Sequence, residues 1–356
     1  MFGKKKLNRL IWSVTFSVLT LSSCGENQRE TSSSGEGFVI LGQTQGTTYH
    51  VIISEEHSDV TKKRLDSLFT TFDNSLSTYI ESSVVSKLNR ATGFVVIEDY
   101  TTYFKECFLK SETIFRETNG CFDPSVFPLV KGWGFMDNMD TPLKSFEVDS
   151  MLMFVDFTRG KLYDVDFDGS AIRFKKNHPK LKLDFNAIAQ GQSVDVVDRF
   201  LSREGHLNYY IEIGGEVIVR GKNREGIDWR IGVDVPIDNL KERSLENVLS
   251  ISNKAVATSG NYRKFYIKNG VKYAHSLNPK TGFPVQHSLL SATVIADDCA
   301  TADGYATAFM VMGTKASLAF VEEHPYLGLD VYLLYSDTDG LIQRSMSAGF
   351  SKYITE

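Results

Sequence analysis

The sequence lacks several features that would point to particular protein classes. Its 356 residues contain only four cysteines, and none of these forms a C-x-x-C pair, so we predict neither a disulfide framework nor a zinc site. No G-x-G-x-x-G segment follows a predicted strand, so a Rossmann dinucleotide site has no support. Four of the 39 basic residues lie within positions 4–9, and the other 35 are outnumbered by 44 acidic residues. A nucleic-acid partner is therefore not expected.

A long apolar run is also missing. The N-terminal apolar stretch covers only residues 10–21, whereas a membrane-spanning helix needs about 20 residues. Behind its basic start, this stretch is typical of a cleaved export signal. The following Leu21-Ser22-Ser23-Cys24 resembles a bacterial lipobox, in which Cys24 is acylated and becomes the new N-terminus. The alternative is an ordinary secretory signal with an incidental cysteine.

These segments divide the chain into three parts. We expect a signal peptide over residues 1–23, then a flexible tether rich in Ser, Glu and Gly over residues 24–37. Residues 38–356 have ordinary globular composition, within a chain that is 42% hydrophobic and 23% charged, and are predicted to form the folded part. The expected location is the periplasmic side of the cell membrane, held there by lipid.

Apolar residues recur at helical and strand spacing along the folded part. Leu65, Leu68, Phe69, Phe72 and Leu76 predict one helix, and a second is expected from Phe104 to a stop at Asn119-Gly120. Further helices are predicted over residues 188–201, 302–311 and 316–321. Strands are predicted over residues 39–41, 49–53, 209–213, 216–219, 229–235 and 329–335, with residues 42–48 as a polar loop.

Gly214-Gly215 between two of these strands is a hairpin signal. Because strands come in runs between helices, and many connections look like hairpins, we expect an α+β fold with mainly antiparallel sheets and packed helices. A doubly wound parallel sheet is not favoured. Cys107 falls on the apolar face of a helix and is predicted to be a buried structural thiol.

Four short segments, at residues 120–124, 183–187, 275–282 and 302–307, are richer in Gly, Asp, Thr, His and aromatic residues than folding requires, and four further segments join them. In chain order, they resemble the motifs of the ApbE-type FAD:protein FMN transferases, and the resemblance runs from about Gly42 to beyond Gly313. It implies an ApbE-like, T-fold-like architecture and a catalytic domain over residues 38–356. The segments are Ser77-Thr78-Tyr79, Gly120-Cys121-Phe122-Asp123-Pro124, Trp133-Gly134-Phe135, Leu183-Asp184-Phe185-Asn186-Ala187, Gly214-Gly215-Glu216, Thr258-Ser259-Gly260, His275-Ser276-Leu277-Asn278-Pro279-Lys280-Thr281-Gly282 and Ala302-Asp303-Gly304-Tyr305-Ala306-Thr307.

The last segment indicates a metal site. Asp303 and Thr307 are four residues apart on a predicted helix, so a carboxylate and a hydroxyl project from one face. Such hard oxygen ligands suit magnesium shared with substrate phosphates, although an Asp and a Thr at this spacing often form only a solvated face. The resemblance implies that Asp303 and Thr307 bind magnesium, with backbone oxygens at Ala187 and Ala306 completing the site.

Other segments are implied to bind FAD. Tyr79 and the Cys121, Phe122 and Asp123 run offer aromatic faces and a carboxylate to the nucleotide, while Phe122 alone would be assigned to the core. Asp184 is implied to lie in the flavin site, and its simpler reading is a helix N-cap worth about 1 kcal/mol. The resemblance adds three further FAD contacts, of which two depart from residues frequent in the family. These are Leu277, Gln190 where relatives often carry Lys, and Gln45 where they often carry Met.

His275 is the only one of seven histidines within a family-like motif. It is the leading acid/base candidate, with Asp303 as a metal-linked carboxylate that could also serve. The alternative is that His275 only positions a phosphate or the acceptor.

The resemblance implies magnesium-dependent transfer of FMN from FAD to a threonine hydroxyl of another protein, with release of AMP. The implied acceptors are threonine-bearing flavoprotein subunits of membrane redox complexes. Two alternatives stay open: hydrolysis of FAD to FMN and AMP at the same site, and a flavin-binding lipoprotein without catalysis.

Overall fold

A computed structural model describes residues 32–34, 37–55, 58–135, 142–234, 245–261, 265–268, 271–274 and 276–355. Cys24 and His275 lie outside these ranges. None of the helices within the ranges is both long and apolar enough to cross a lipid bilayer.

Helices and strands alternate in groups along the chain. The helices are α1 (Lys62–Leu76), α2 (Val84–Arg90), α3 (Tyr103–Glu117), α4 (Phe127–Gly132), α5 (Ser145–Leu152), α6 (Asn186–Arg203), α7 (Cys299–Met312) and α8 (Thr314–Glu323), with short 3-10 helices at Pro124–Val126, Pro325–Leu327 and Phe350–Tyr353. The strands are β1 (Ser32–Ser34), β2 (Gly37–Thr44), β3 (Thr47–Ile53), β4 (Phe94–Glu98), β5 (Tyr163–Asp168), β6 (Ala171–Lys176), β7 (Tyr209–Ile213), β8 (Glu216–Arg220), β9 (Trp229–Asp234), β10 (Leu245–Ile251), β11 (Lys254–Gly260), β12 (Phe265–Lys268), β13 (Val271–Ala274), β14 (Leu289–Ala296), β15 (Asp330–Ser336) and β16 (Ile342–Met346).

One nine-stranded sheet organises the fold. Its strand order is β1-β2-β3-β7-β8-β11-β14-β15-β16, and smaller sheets pair β9 with β10, β12 with β13, and β4 with β6 and β5. Every pairing between these strands is antiparallel. The predicted α+β fold with mainly antiparallel sheets is therefore confirmed.

The large sheet is covered on both faces. Side chains alternate between the faces of a strand, so Val51 and Ile53 pack with α6 residues such as Val197, while Ile52 packs on the opposite side with the β9–β10 hairpin through Trp229. The main hydrophobic cluster of the protein joins α1, α2 and α3 to the three-stranded sheet and to α7. These layers place α6 and α7 against the sheet in the interior of the protein.

The helices predicted from apolar spacing are confirmed. In α1, the side chain of Thr61 caps the N-terminus by accepting a hydrogen bond from the Arg64 amide, and Leu65, Phe69 and Phe72 are buried. Helix α7 begins at Cys299, three residues before its predicted start, because the Asp298 carboxylate accepts the Thr301 amide at 2.8 Å and caps the helix there.

Two local predictions differ from the structure. Residues 42–48 were expected to form a loop, yet strand pairing continues to Thr44 and resumes at Thr47. Gly42 lies opposite Tyr49, and a Cβ at Gly42 would sit 2.3 Å from the tyrosine ring, so this glycine makes room for a side chain and does not form a turn. Part of the predicted tether, Ser32–Ser34, pairs with β2 as strand β1.

The cysteines within the described ranges, Cys107, Cys121 and Cys299, are all free. Cys107 is 1% exposed and belongs to the main hydrophobic cluster. It is therefore a buried structural thiol, as its place on the apolar helix face predicts.

Candidate active site

Helices α6 and α7 meet closely at Gly191. A Cβ added there would lie 2.5 Å from the carbonyl oxygen of Cys299 and 2.8 Å from Cβ of Asp303. The absence of a side chain lets the Gly191 amide donate a hydrogen bond to Oδ2 of Asp303 at 3.0 Å. This contact fixes a buried carboxylate, only 6% exposed, at the crossing of the two helices.

Asp303 and Thr307 lie along one cavity of about 540 Å3, as their spacing predicts. The Thr307 hydroxyl is 3.3 Å from the hydroxyl of Ser259 on β11, and Ala187, at the start of α6, lines the same cavity. Ala306 is fully buried in the hydrophobic core and is not among the residues that line the cavity. Its backbone role in metal binding stays a prediction.

Most of the residues expected to bind FAD line this cavity as well. Tyr79 is 71% exposed at its rim, and Gln190 is held by a 3.2 Å hydrogen bond from its Nε2 to the carbonyl of Ile213. The other members of this set are Cys121, Phe122, Asp123, Asp184 and Leu277.

Gln45 lies beside the cavity and does not line it. Its side-chain Oε1 accepts a hydrogen bond from Ser193 Oγ at 3.4 Å, and Ser193 also donates to the Gln190 carbonyl at 2.7 Å. Gln45 is thereby linked to α6, one turn from the residues that face the cavity. A direct contact between Gln45 and FAD stays a prediction.

Asp123 is held rigidly in the cavity wall. Its Oδ1 accepts hydrogen bonds from the amide and the hydroxyl of Ser125 at 2.7 and 2.6 Å, which caps the short helix that begins at Pro124. Burial raises the pKa of Asp123 to about 7. The hydrogen bonds from Ser125 favour the charged form and lower the pKa, but the effect of burial is larger. The fixed carboxyl can accept a hydrogen bond from a nucleotide base or sugar.

Asp184 precedes α6, but it is not the cap residue that its simpler reading predicts. Helix α6 begins at Asn186 and its N-cap residue is Phe185. The Asp184 carboxylate instead accepts the Asn186 amide at 2.8 Å, and its own amide donates to the Pro124 carbonyl at 2.8 Å. Burial raises its pKa to about 6. Asp184 therefore ties the start of α6 to the segment that carries Asp123.

Electrostatics favour a cation beside Asp303. Burial raises the pKa of Asp303 to about 7, and the hydrogen bond from Gly191 only partly offsets this. No group of three or more His, Cys, Asp or Glu side chains in the described part of the chain is arranged to hold a metal. Any cation bound here therefore has at most two such side chains of the described residues as ligands and takes the others from hydroxyl or backbone oxygens and from the substrate, which is the pattern that magnesium uses.

The structure also places residues in the cavity that the sequence did not single out individually. They include Glu216, Ser259, Ser276, Asn186, Phe135 and Val311. For Glu216 a signal exists in the sequence, because an acid begins the otherwise apolar run Val217-Ile218-Val219 directly after Gly214-Gly215. An acid at the start of a buried strand is costly unless it is hydrogen-bonded, paired with a positive charge or bound to a metal, and an acid kept there in spite of this cost points to a function.

A larger cavity of about 900 Å3 adjoins the first one. The two share Asp123 and Pro279, while Arg116, Arg159 and Lys280 line only the larger cavity. It lacks Asp303 and Thr307, so the smaller cavity is the one equipped for metal-assisted chemistry.

The chain is similar to known proteins along most of its length. The ApbE family model matches residues 45–332. The FAD:protein FMN transferase of Haemophilus influenzae is 31% identical over 341 residues, which cover 93% of this chain and 94% of the relative. The corresponding enzyme of Vibrio cholerae serotype O1 is 30% identical over 355 residues, covering 97% and 99%.

Solved structures extend the likeness to the whole fold. The flavin transferase ApbE from Vibrio cholerae superposes with a TM-score of 0.76 at 30% identity, covering 88% of this chain and 98% of that one. The apo flavinyl transferase ApbE from Pseudomonas stutzeri gives a TM-score of 0.75 at 25% identity, covering 92% and 98%. The expected ApbE-like architecture is confirmed.

Proposed function

The chain belongs to the ApbE family, and we propose that it transfers the FMN half of FAD to a threonine hydroxyl of another protein in a magnesium-dependent reaction. That it is a flavin transferase follows from relatives of this name that match nearly its whole length. The observation that carries the proposal is the buried Asp303 carboxylate, which lines one cavity together with Thr307 and Ala187.

The residues present fit magnesium. Asp303 offers Oδ1, which is not engaged by Gly191, and the cavity is also lined by Thr307, which carries a hydroxyl, and by Ala187, whose backbone oxygen we propose as a further ligand. All of these are hard oxygen donors. The chemistry that a bound magnesium supplies is neutralisation of the negative charge that spreads over the diphosphate as its P–O bond breaks.

The chain's own residues then orient FAD and move one proton. The acceptor oxygen forms a new bond to the FMN-side phosphorus, the bond to the AMP phosphate breaks, and AMP leaves with the electron pair. The acceptor proton must pass to a base because a hydroxyl is a poor nucleophile at neutral pH. His275 is proposed for this role, and Asp123 and Asp184 hold the nucleotide through their fixed carboxyls.

The proposed acceptors are threonine-bearing flavoprotein subunits of membrane redox complexes. We further propose that the signal segment 1–23 directs export and that Cys24 is lipidated, so that the enzyme works at the periplasmic surface of the membrane. A Cys24→Ser variant should then lose incorporation of radiolabelled palmitate and move to the soluble fraction. Unchanged labelling would contradict the lipid anchor and leave the catalytic proposal intact.

A single incubation tests the catalytic proposal. The full chain in detergent is mixed with FAD, magnesium and an acceptor domain that carries one accessible threonine, and the products are separated by mass spectrometry. Transfer gives a flavinylated acceptor and AMP, hydrolysis gives free FMN and AMP, and a binding protein leaves FAD unchanged. The matched control is the same acceptor with valine at the threonine position, which should stay unmodified.

A further inference from the structure

Glu216 is a buried acid at the wall of the catalytic cavity. It is the first residue of β8, directly after the Gly214-Gly215 turn, and is 9% exposed. Its side chain lines the cavity together with Asp303 and Thr307. Within the described residues, its Oε2 is enclosed and has no hydrogen-bond partner.

Such an acid is costly for a folded protein. An ionised carboxylate removed from water needs a partner or a cation, and without one it takes up a proton. Burial raises the pKa of Glu216 well above its usual range, and the negative charge of Asp303 raises it further. Ionisation of Glu216 is therefore unfavourable for as long as no positive charge lies near its carboxyl group.

The described part of the cavity wall does not supply that positive charge. Among the described residues that line the cavity, there is no lysine, arginine or histidine. Glu216 is also not needed for the turn, because the Gly215 amide is bonded to the carboxylate of Glu212 at 2.7 Å. A ligand can supply the compensating charge, and the ligand of the proposed reaction that carries positive charge is magnesium.

Resting on the proposed function, we infer that Glu216 is a second acidic residue of the magnesium site, which acts with Asp303 to hold the cation. Two carboxylates match the two charges of the ion, whereas Asp303 alone leaves one charge for the substrate to neutralise. The protein should therefore bind magnesium before FAD arrives.

The test is a calorimetric titration of the FAD-free full chain with magnesium, which measures the affinity for the ion. Glu216→Gln keeps the shape of the side chain and removes its charge, and we expect it to weaken magnesium binding by at least about 10- to 100-fold, because loss of a residue that only supports a metal ligand already has an effect of this size. Glu212→Gln makes the same change four residues earlier on the same hairpin and should bind magnesium as the wild type does. Asp303→Asn is the reference for loss of a direct ligand.

Two further measurements separate a role in metal binding from a role in folding. The melting temperature of metal-free Glu216→Gln should equal or exceed that of the wild type, because a buried acid without a partner is removed, whereas added magnesium should raise it less. FAD affinity in the presence of EDTA should be unchanged. A lower metal-free melting temperature together with an unchanged magnesium affinity would make Glu216 a structural residue and overturn the inference.

The outcomes also distinguish this inference from the proposed function. If the wild type binds magnesium and Glu216→Gln binds it equally well, the inference is wrong and the magnesium-dependent transfer stands. If the wild type binds no magnesium with or without FAD, both are wrong. Binding by the wild type only after FAD is added would overturn the inference alone.

Discussion

The amide of Gly191 donates a hydrogen bond to Oδ2 of Asp303, so the backbone of α6 directly orients the carboxylate proposed to bind magnesium on α7. The two residues are 112 positions apart in the chain. The contact depends on the close approach of the helices, since any side chain at position 191 would collide with the Cys299 carbonyl. The orientation of the Asp303 carboxylate therefore depends on the close packing of α6 against α7.

Gly191→Ala should damage both stability and activity. Replacing glycine by alanine inside a helix normally stabilises it by about 1 kcal/mol. Here the new Cβ would meet a backbone oxygen at 2.5 Å, which cannot move aside cheaply, and overpacking of this kind costs about 1–3 kcal/mol. Chemical denaturation and magnesium titration should show a lower free energy of unfolding and weaker metal binding.

The matched control is Gly93→Ala, because a Cβ at Gly93 meets nothing within 4 Å and its φ is not in the left-handed region. This variant should keep wild-type stability and activity. Wild-type behaviour of Gly191→Ala would mean that the helices separate at little cost and that the Gly191 contact does not orient Asp303.

The sequence predicts the parts of this fold that are buried on one side only. Helices α1 and α3 and strand β9 have a regular apolar pattern that one buried face produces, and in β9 the buried Trp229, Ile231 and Val233 alternate with exposed residues. The three-stranded sheet and the strands β11 and β14 were not predicted. In β14 seven of eight residues are buried, because helices cover one face and the β9–β10 hairpin the other, and this leaves no alternation to detect.

The same limit applies to the site. The spacing of Asp303 and Thr307 predicts their shared face because one helix turn joins them. The contact between Gly191 and Asp303 joins segments far apart in the chain, so no local pattern encodes it. For Glu216, the apolar run that follows indicates only a place at the start of a buried strand and not the cavity that it faces. The motif resemblance located the segments, and only the packing of α6, α7 and β8 shows which side chains meet.

Asp303→Ala should abolish magnesium-dependent transfer and leave the fold largely intact. The change removes a buried carboxylate whose one protein partner in the described residues is the Gly191 amide, so little stabilising interaction is lost with it. Flavin transfer to the acceptor and far-ultraviolet circular dichroism provide the two measurements. Normal transfer rates in this variant would exclude the metal assignment.

Without divalent metal, the protein should lose stability as the pH rises from about 5 to about 7. The folded-state pKa values of Asp123, Asp184 and Asp303 are raised to about 7, 6 and 7, above an unfolded value of about 3.9. The folded state therefore binds more protons than the unfolded state in this range, and its stability decreases with pH. Thermal melts in EDTA across this range measure the effect.

Added magnesium should reduce this loss, because a cation favours the ionised form of Asp303. Asp303→Asn should show a smaller pH dependence than the wild type in EDTA and little response to magnesium. A metal-free wild type that becomes more stable between pH 5 and 7 would contradict the raised pKa values.

Trp133→Phe should weaken FAD binding, although Trp133 is not among the residues that line the cavity. The indole Nε1 of the buried Trp133 donates to the Gly282 carbonyl at 2.7 Å and so holds the loop that supplies Ser276 and Leu277 to the cavity. Loss of one such hydrogen bond costs about 1–3 kcal/mol, and about 1.4 kcal/mol corresponds to a tenfold change in affinity. Fluorescence titration with FAD should show a loss of about this size.

Trp229→Phe is the control for this prediction. Its indole donates to the Arg220 carbonyl at 3.0 Å on the opposite face of the large sheet, so the same chemical change is made away from the cavity. Some stability should be lost and FAD affinity retained. Equal FAD affinities for both variants would show that the Gly282 loop keeps its shape without Trp133.

His275→Ala should slow flavin transfer more than it weakens FAD binding. A general base contributes about 100- to 10,000-fold to a rate, whereas a residue that only positions a phosphate affects binding and rate together. Single-turnover transfer and FAD titration separate the two effects. His178→Ala is the control, since His178 stacks on Phe154 with ring centroids 5.2 Å apart and does not line the cavity. An equal loss of rate and affinity in His275→Ala would make His275 a binding residue and leave the base to be found among the carboxylates of the cavity.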